Sequence, residues 1–426
     1  MHPMKERLRA KKGIASYCTA NEIVLEAAME DAVARNVPIL IEATANQVNQ
    51  FGGYTGMQPH DFVTFIESLV QKIGLNPALV TLGGDHLGTL PWKGEPESLA
   101  MEKAKDLIRA YVMAGFTKIH LDTSMRLADD ATDVPLSTET IAKRGASLAQ
   151  VAMEAWEARR KLHPDARELI FIIGSEVPVP GGAEEDEDGI SVTSAEDFAD
   201  TVSVYQTVFL EAGLETAWQN VVGIVVQPGV EFSDNLVFQY DSQAAQKLTQ
   251  KLSDYPNLVF EGHSTDYQTE DCLSAMVGDG IRILKVGPEL TFAFREALLA
   301  LCCIEEELLP EAKRANFRAV LDAEMCAAPQ YWKPYYRGTE EEQACARMFS
   351  LSDRCRYYLG NAAVQAAMEK LFSNIDAVQI PLGVLHQYLP TAVDAALKGE
   401  TLTARELTKC YMRNGVFKKY QEALGA

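Results

Sequence analysis

ILIEATANQVNQFGGYTGMQPHDFVTFIESLVQKIGLNPALVTLGGDH, residues Ile39 to His86, carries the alternation on which the fold turns. An apolar run, Ile39 to Glu42, precedes a helical pattern over His60 to Ile73 and a second apolar run, Val80 to Leu82. The runs are continuous rather than alternating, as a parallel strand covered on both faces requires. Working outward, the same order repeats. Strands are expected at Ile14 to Tyr17, Ile119 to Asp122, Leu169 to Ile173, Gly223 to Gln227, Leu258 to Glu261 and Ile283 to Val286. Helical patterns such as Asn21 to Arg35, Ser98 to Ala114, Glu139 to Lys161 and Thr291 to Leu308 lie between them. Eight strand–helix units in roughly 300 residues is the count and size of an α/β protein of the (β/α)8 (TIM) barrel class. A doubly wound open sheet is the competitor, and no Gly-x-Gly-x-x-Gly turn follows any of these strands to support it.

Beyond about residue 310 the strands stop and helical segments take over, punctuated by aromatic clusters such as Tyr331, Trp332, Tyr335 and Tyr336. The expected organisation is a barrel over residues 1–310 and a helical extension over 311–426. Within the 426 residues, 60 acidic against 39 basic side chains give a formal charge of −21. Such a surface repels phosphate backbones and anionic lipid, so neither a nucleic acid nor a membrane is an expected partner. No run approaches the roughly 20 apolar residues of a spanning helix. The basic start, MHPMKERLRAKKG, lacks the apolar segment of a secretory signal and reads as a solvated first helix. Eight cysteines with no CxxC pair read as reduced, mostly buried thiols of a cytoplasmic protein.

In a barrel the C-terminal strand ends converge on one mouth, so chemistry is sought there. Those ends carry Glu42 with Asn46, Gln47 and the loop Gln50 to Gly56, then Asp85-His86, Asp122, Glu176, Gln227, Glu261 to Ser264, and Lys285 with Gly287. Two imidazoles, His86 and His263, among several carboxylates suit a divalent metal. His120 shares the strand parity of Asp122 and is read as a structural residue one layer deeper. His2, His60, His163 and His386 are read as surface or packing residues. Gly53 and its neighbour Gly52 fit either a ligand-facing loop or a plain turn.

Several long motifs occur together: IEATANQVNQFGGYTGM (Ile41 to Met57), LGGDHLG (Leu82 to Gly88), EVPVPGGA (Glu176 to Ala183), VVQPGVEF (Val225 to Phe232), GHSTDYQT (Gly262 to Thr269) and LKVGPELTFAFREAL (Leu284 to Leu298). In these the chain resembles the GatZ/KbaZ family of tagatose-bisphosphate aldolase Z subunits, over about residues 13–420. The resemblance implies a fold similar to the class II, metal-dependent aldolases. It implies Asp85 as acid/base and His86 and His263 as metal ligands, with Glu176 and Gln227 completing a shell for Zn, Mn, Co or Ni. Gln227 departs from that pattern, standing where an aldolase supplies a histidine. Two roles follow from the family. One is 4-epimerisation of a ketohexose or its phosphate by retro-aldol cleavage, with Asp85 or Asp122 taking the O4 proton. The other is a non-catalytic subunit that stabilises the catalytic Y subunit of an aldolase. A homo-oligomer is also expected. Gln47, Gln50 and Gly53 are candidates for substrate contact, and Ser264, Lys285 and Gly287 for holding a phosphate. No Gly-x-x-x-x-Gly-Lys-Ser/Thr loop is present to cradle a nucleotide triphosphate.

Overall fold

The computed structural model describes residues 2–175 and 190–425. The strands are β1 (Ile14–Cys18), β2 (Ile39–Thr44), β3 (Val80–Gly88), β4 (Lys118–Asp122), β5 (Ile170–Ile173), β6 (Val221–Val226), β7 (Glu231–Phe232), β8 (Val237–Phe238), β9 (Val259–Gly262) and β10 (Ile281–Val286). β7 and β8 form a small antiparallel ribbon. The other eight close into a barrel in the order β1-β10-β9-β6-β5-β4-β3-β2, every pair parallel. The expected (β/α)8 barrel is therefore the observed fold.

The barrel interior has two chemically distinct levels. Ile14, Leu40, Ile170, Ile172, Val222, Val225, Val259 and Ile283 form an apolar floor. Met4 and Leu8, from the helix Pro3–Arg9, join that floor and are 1% and 6% exposed. The first helix is therefore a plug rather than a solvated segment. Its Lys5 pairs with Glu168, and its N-cap His2 is itself buried, 3.0 Å from Thr117 Oγ1. The basic residues that suggested solvation occupy the outer face, while Met4 and Leu8, one turn apart, point inward.

β3 runs six residues past its expected end at Leu82. A Cβ at Gly83 would lie 2.3 Å from Glu42 Oε1, and one at Gly88 would lie 1.6 Å from the Asp122 carbonyl oxygen. Only glycine lets the strand pass these two points. Between them the β3–β4 register shifts, so that Asp85 and His86 together oppose His120 alone. His86 adopts φ 48°, a left-handed conformation rare for a side chain of this size. This bulge has a direct consequence. Neighbouring residues of a regular strand face opposite sides, whereas the extra residue here re-aims the chain and lets Asp85 and His86 both reach the barrel interior.

The helices after Leu308 share one continuous hydrophobic core with the outer helices of the barrel; Phe317, Leu371, Leu407 and Phe417 belong to the same cluster as Val24, Leu25 and Leu301. The turn at Asp353 to Tyr357 is tied down over the barrel mouth. Asp353 accepts from Arg295 Nε at 2.8 Å and from Thr291 Oγ1 at 2.7 Å, while Ser350 and Ser352 both donate to Asp234. No described helix is long and apolar enough to cross a membrane. The cysteines are free thiols as expected, but less uniformly buried: Cys302 and Cys355 are buried, whereas Cys326 and Cys345 are exposed.

Met4→Ala tests the plug. Removing this side chain from the floor is expected to cost about 2–4 kcal/mol in chemical denaturation; a cost under about 0.5 kcal/mol would mean that the helix is not docked.

Candidate metal centre

Above the apolar floor the barrel holds ionic groups almost wholly shielded from water. Lys118, at the start of β4, lies 2.5 Å from Glu42 Oε1 and 2.7 Å from Glu261 Oε2, with all three side chains fully buried. Lys285, near the end of β10, pairs with Glu42 and Asp85 and lies 3.7 Å from Glu261. Asp122 is equally buried. Two ammonium groups thus face four carboxylates, an excess of negative charge within the barrel. Uncompensated buried charge is costly, so a divalent cation is the counter-charge that this cluster calls for.

Three imidazoles stand where such a cation would sit. The ring centroids of His86, His120 and His263 are 5.1, 5.0 and 5.3 Å apart, well inside the roughly 8 Å that a shared ion allows His86 and His263. One potential ligand atom from each, with one from Asp85, forms a set of four lying within 4.8 Å of one another. The remaining ring nitrogens are engaged behind. His86 Nδ1 is 2.7 Å from Asp122 Oδ2, and His263 Nε2 is 3.0 Å from Glu261 Oε1. His120 Nδ1 lies 3.1 Å from the His86 amide nitrogen and 2.9 Å from Asp85 Oδ1, while its Nε2 is buried without a hydrogen-bond partner. A carboxylate behind each ligating imidazole is the usual arrangement around a bound metal, and with Nδ1–H donated to Asp85 the orphaned His120 Nε2 carries the lone pair such an ion would take. The residues present therefore fit a divalent cation. Histidine nitrogen favours Zn or a neighbouring first-row metal over Mg or Ca.

The imidazoles differ electrostatically. Burial, with the charges of Lys285 and His86, pushes the His263 imidazole down to about 3, keeping it neutral and ready to donate a lone pair. Burial also opposes charge on His86, but Asp85 and Asp122 outweigh it and hold this imidazole above its ordinary value. The carboxyls of Asp85, Asp122 and Glu261 lie below the ordinary range despite burial, because imidazole or ammonium groups surround them.

A cavity of about 750 Å³, counting the part open to solvent, leads to this centre. Of the residues expected around it, Gln47, Asp85, His86, His263, Ser264, Lys285 and Gly287 line it. Several assignments change on inspection. Asp122 has both oxygens engaged, Oδ2 by His86 and Oδ1 by Ser124 N and Oγ, so it orients His86 rather than taking a substrate proton. Gln227 Oε1 accepts from the amides of Gly229 and Val230, so its amide oxygen shapes its own loop instead of ligating. Gln50 donates to the Lys103 carbonyl and does not line the cavity. Gly53 (φ 55°) closes a turn against the Gln47 carbonyl, 2.3 Å from where a Cβ would stand. Gly287 N–H already donates to Asp266 Oδ1, and the Lys285 ammonium is occupied by carboxylates. Glu176 lies outside the described residues.

His120, Asp266 and Tyr357 were not among the expected site residues. His120, taken as structural, belongs to the imidazole cluster; the parity argument placed it on the correct face but did not include the bulge that brings His86 level with it. Asp266 lines the cavity and is raised to about 7 by burial and by Glu289. Arg356, which from the sequence fits, with Arg354, a contact to a phosphate or a neighbouring subunit or an ordinary ion pair, reaches the cavity from the helical extension, and its neighbour Tyr357, which strand ends alone cannot reveal, lines it too.

Fold and centre together define a (β/α)8 barrel with a histidine–carboxylate cluster suited to a divalent cation at its C-terminal mouth. A family model described as D-tagatose-1,6-bisphosphate aldolase subunit GatZ/KbaZ-like matches residues 2–424, and the chain belongs to that family. It is 46% identical over 378 residues to a protein of Klebsiella pneumoniae named D-tagatose-1,6-bisphosphate aldolase subunit GatZ, covering 89% of this chain and 88% of that one. A protein of the same name from Salmonella agona is 45% identical over 387 residues, covering 91% and 90%. A crystal structure titled as a probable tagatose 6 phosphate kinase from Sinorhizobium meliloti superposes with a TM-score of 0.87 at 43% identity, covering 97% of this chain and all of that one.

Two measurements test the centre. The chelated protein is expected to take up one divalent ion per chain, and His86→Ala, His120→Ala and His263→Ala each to weaken that uptake by about 10-fold or more in calorimetric titration; undiminished uptake in His120→Ala would remove it from the shell. Lys118→Met is expected to destabilise the fold by about 3–5 kcal/mol, because Glu42 and Glu261 lose a buried counter-charge. A neutral result in denaturation would mean that the carboxylates are protonated.

Proposed function

We propose that this chain serves as a GatZ-type subunit of a D-tagatose-1,6-bisphosphate aldolase, associating with a separate catalytic subunit. The name shared by relatives 45–46% identical over about nine-tenths of the chain carries this reading. It reverses the order in which the sequence alone ranks the two roles, with the epimerase now second. The direct test is co-expression with a class II tagatose-bisphosphate aldolase catalytic subunit. The expected result is a stable complex in which the partner's thermal half-life rises; two species that elute separately, with an unchanged half-life, would refute it.

A second reading is favoured by one observation, the imidazole triangle at the end of a solvent-connected cavity. A stabilising subunit has no need of such a cluster, whereas a metal-dependent 4-epimerase acting on a ketohexose or its phosphate does. Residues His86, His120 and His263 would hold the ion. When bound, it would supply Lewis-acid stabilisation of the negative charge that develops at O2 as the C3–C4 bond of the ketose breaks. The protein's own groups do the rest. Asp85 Oδ2, whose surroundings are a 3.7 Å approach of His86 Nε2 and a 3.9 Å contact with Cys18, is the oxygen left to take the O4 proton. Asp122 holds the His86 ring in place, and the Lys285 ammonium keeps Asp85 ionised. Once the aldehyde has turned over, C3 adds to its other face and re-forms the C3–C4 bond, and return of the proton from Asp85 to O4 completes the C4 epimer.

This reading requires turnover by the isolated chain. Restored with single metals and given fructose 6-phosphate or free fructose, it is expected to form the C4 epimer, with Asp85→Asn lowering the rate by roughly 10²-fold or more. No epimer with any first-row metal would leave the subunit role alone.

A further inference from the structure

The cavity above the metal centre is lined by two cationic side chains among the described residues, Lys285 and Arg356, and their situations differ. Lys285 is neutralised by Glu42 and Asp85, with Glu261 nearby. Arg356 has no carboxylate within ion-pair distance among the described residues. Its guanidinium is nonetheless fixed. Nη1 donates to the carbonyls of Ser352 and Asp353, Nη2 donates to Tyr357 Oη at 2.9 Å, and the group lies 4.5 Å from the Tyr357 ring centroid. All these partners are neutral. A guanidinium has five N–H donors, so among the described residues Nε–H and one Nη2 hydrogen remain unclaimed and the positive charge has no carboxylate partner.

The turn that carries Arg356 is rigid, held by Asp353 on Arg295 and by Ser350 and Ser352 on Asp234. Tyr357 is braced further by Tyr54, from the loop after β2, and by Tyr331, each with centroids 5.0 Å away. A fixed guanidinium with two spare donors on the wall of a cavity, in a chain of net charge −21, is a receptor for an anionic group. Ser264 and Asn46 line the same cavity with side chains that make no hydrogen bond among the described residues, and they supply neutral donors beside it.

We infer that Arg356 is the specificity-determining residue for a terminal phosphate, so that the cavity takes a sugar phosphate in preference to the free sugar. This rests on the reading of the cavity as a sugar site, and it moves phosphate recognition from the barrel strand ends to the helical extension. Of the groups first considered for that task, Lys285 and the Gly287 amide are already occupied by carboxylates, which leaves Ser264 as a neutral donor beside Arg356.

Calorimetric titration of the full, metal-free chain tests this without any turnover. Wild type is expected to bind fructose 6-phosphate about 10-fold or more tightly than fructose, with inorganic phosphate competing. Arg356→Gln is expected to erase that difference while leaving the weak affinity for fructose and the uptake of a divalent metal unchanged. Arg356→Lys keeps the charge but not the fork, and is expected to retain only part of the preference; should the Gln variant misfold, the Lys variant decides. Equal binding of the two sugars by wild type, or a preference undiminished in the folded variants, would overturn the inference. Tighter binding of the corresponding sugar acid than of fructose 6-phosphate would overturn the choice of phosphate. Neither outcome bears on association with a catalytic subunit or on epimer formation, so failure of those readings is recorded separately.

Discussion

Lys118 and Lys285 stand inside a closed barrel, surrounded by Glu42, Asp85 and Glu261, and this buried ion cluster governs what surrounds it. Ions withdrawn from water are tolerated only when paired with good geometry, and here carboxylates outnumber ammonium groups by two. Neighbouring features follow from that deficit. The apolar floor and the plugging helix keep water from entering from below, where it would screen the charges. The glycines of β3 make room for the Glu42 side chain and for the close approach of β4. The bulge at Asp85-His86 brings a carboxylate and an imidazole to the same place, at the cost of a left-handed histidine. Backbone strain held in this way, next to a charged cluster, is characteristic of functional sites.

Much of this was legible in the sequence, for identifiable reasons. Continuous apolar runs in regular alternation with amphipathic ones can satisfy little other than a parallel barrel or open sheet, so the architecture could be read directly. Strand ends point to one mouth in such a fold, which is why His86, His263, Asp85 and Lys285 could be named as neighbours although they are far apart in the chain. What failed were features that depend on local geometry. A one-residue bulge changes which side chains share a level, so His120 was placed on the right face but one layer below the imidazoles it in fact joins. Gln227 and Gly287 were chosen for position, but their polar atoms are consumed by local bonds that only coordinates reveal. The first helix looked solvated because its charges outnumber its two buried anchors, Met4 and Leu8.

The extension contributes more than stability. Arg356 and Tyr357 reach the cavity only because Asp353, itself in a left-handed conformation, is gripped by Arg295 on the last barrel helix. A barrel mouth completed by residues about 70 positions beyond its final strand couples folding of the extension to the form of the site. The same coupling suits either role: a subunit whose mouth must be presented intact to a partner, or an enzyme that must enclose a reactive fragment before it recombines.

The central claim is that three imidazoles, one of them His120, converge on a single divalent ion within the barrel. X-ray absorption at the zinc edge of the reconstituted full chain tests it most directly. The account requires three imidazole nitrogens at about 2.0–2.1 Å with oxygen completing the shell, falling to two in His120→Ala. An all-oxygen shell, or a spectrum that His120→Ala leaves unchanged, would contradict it.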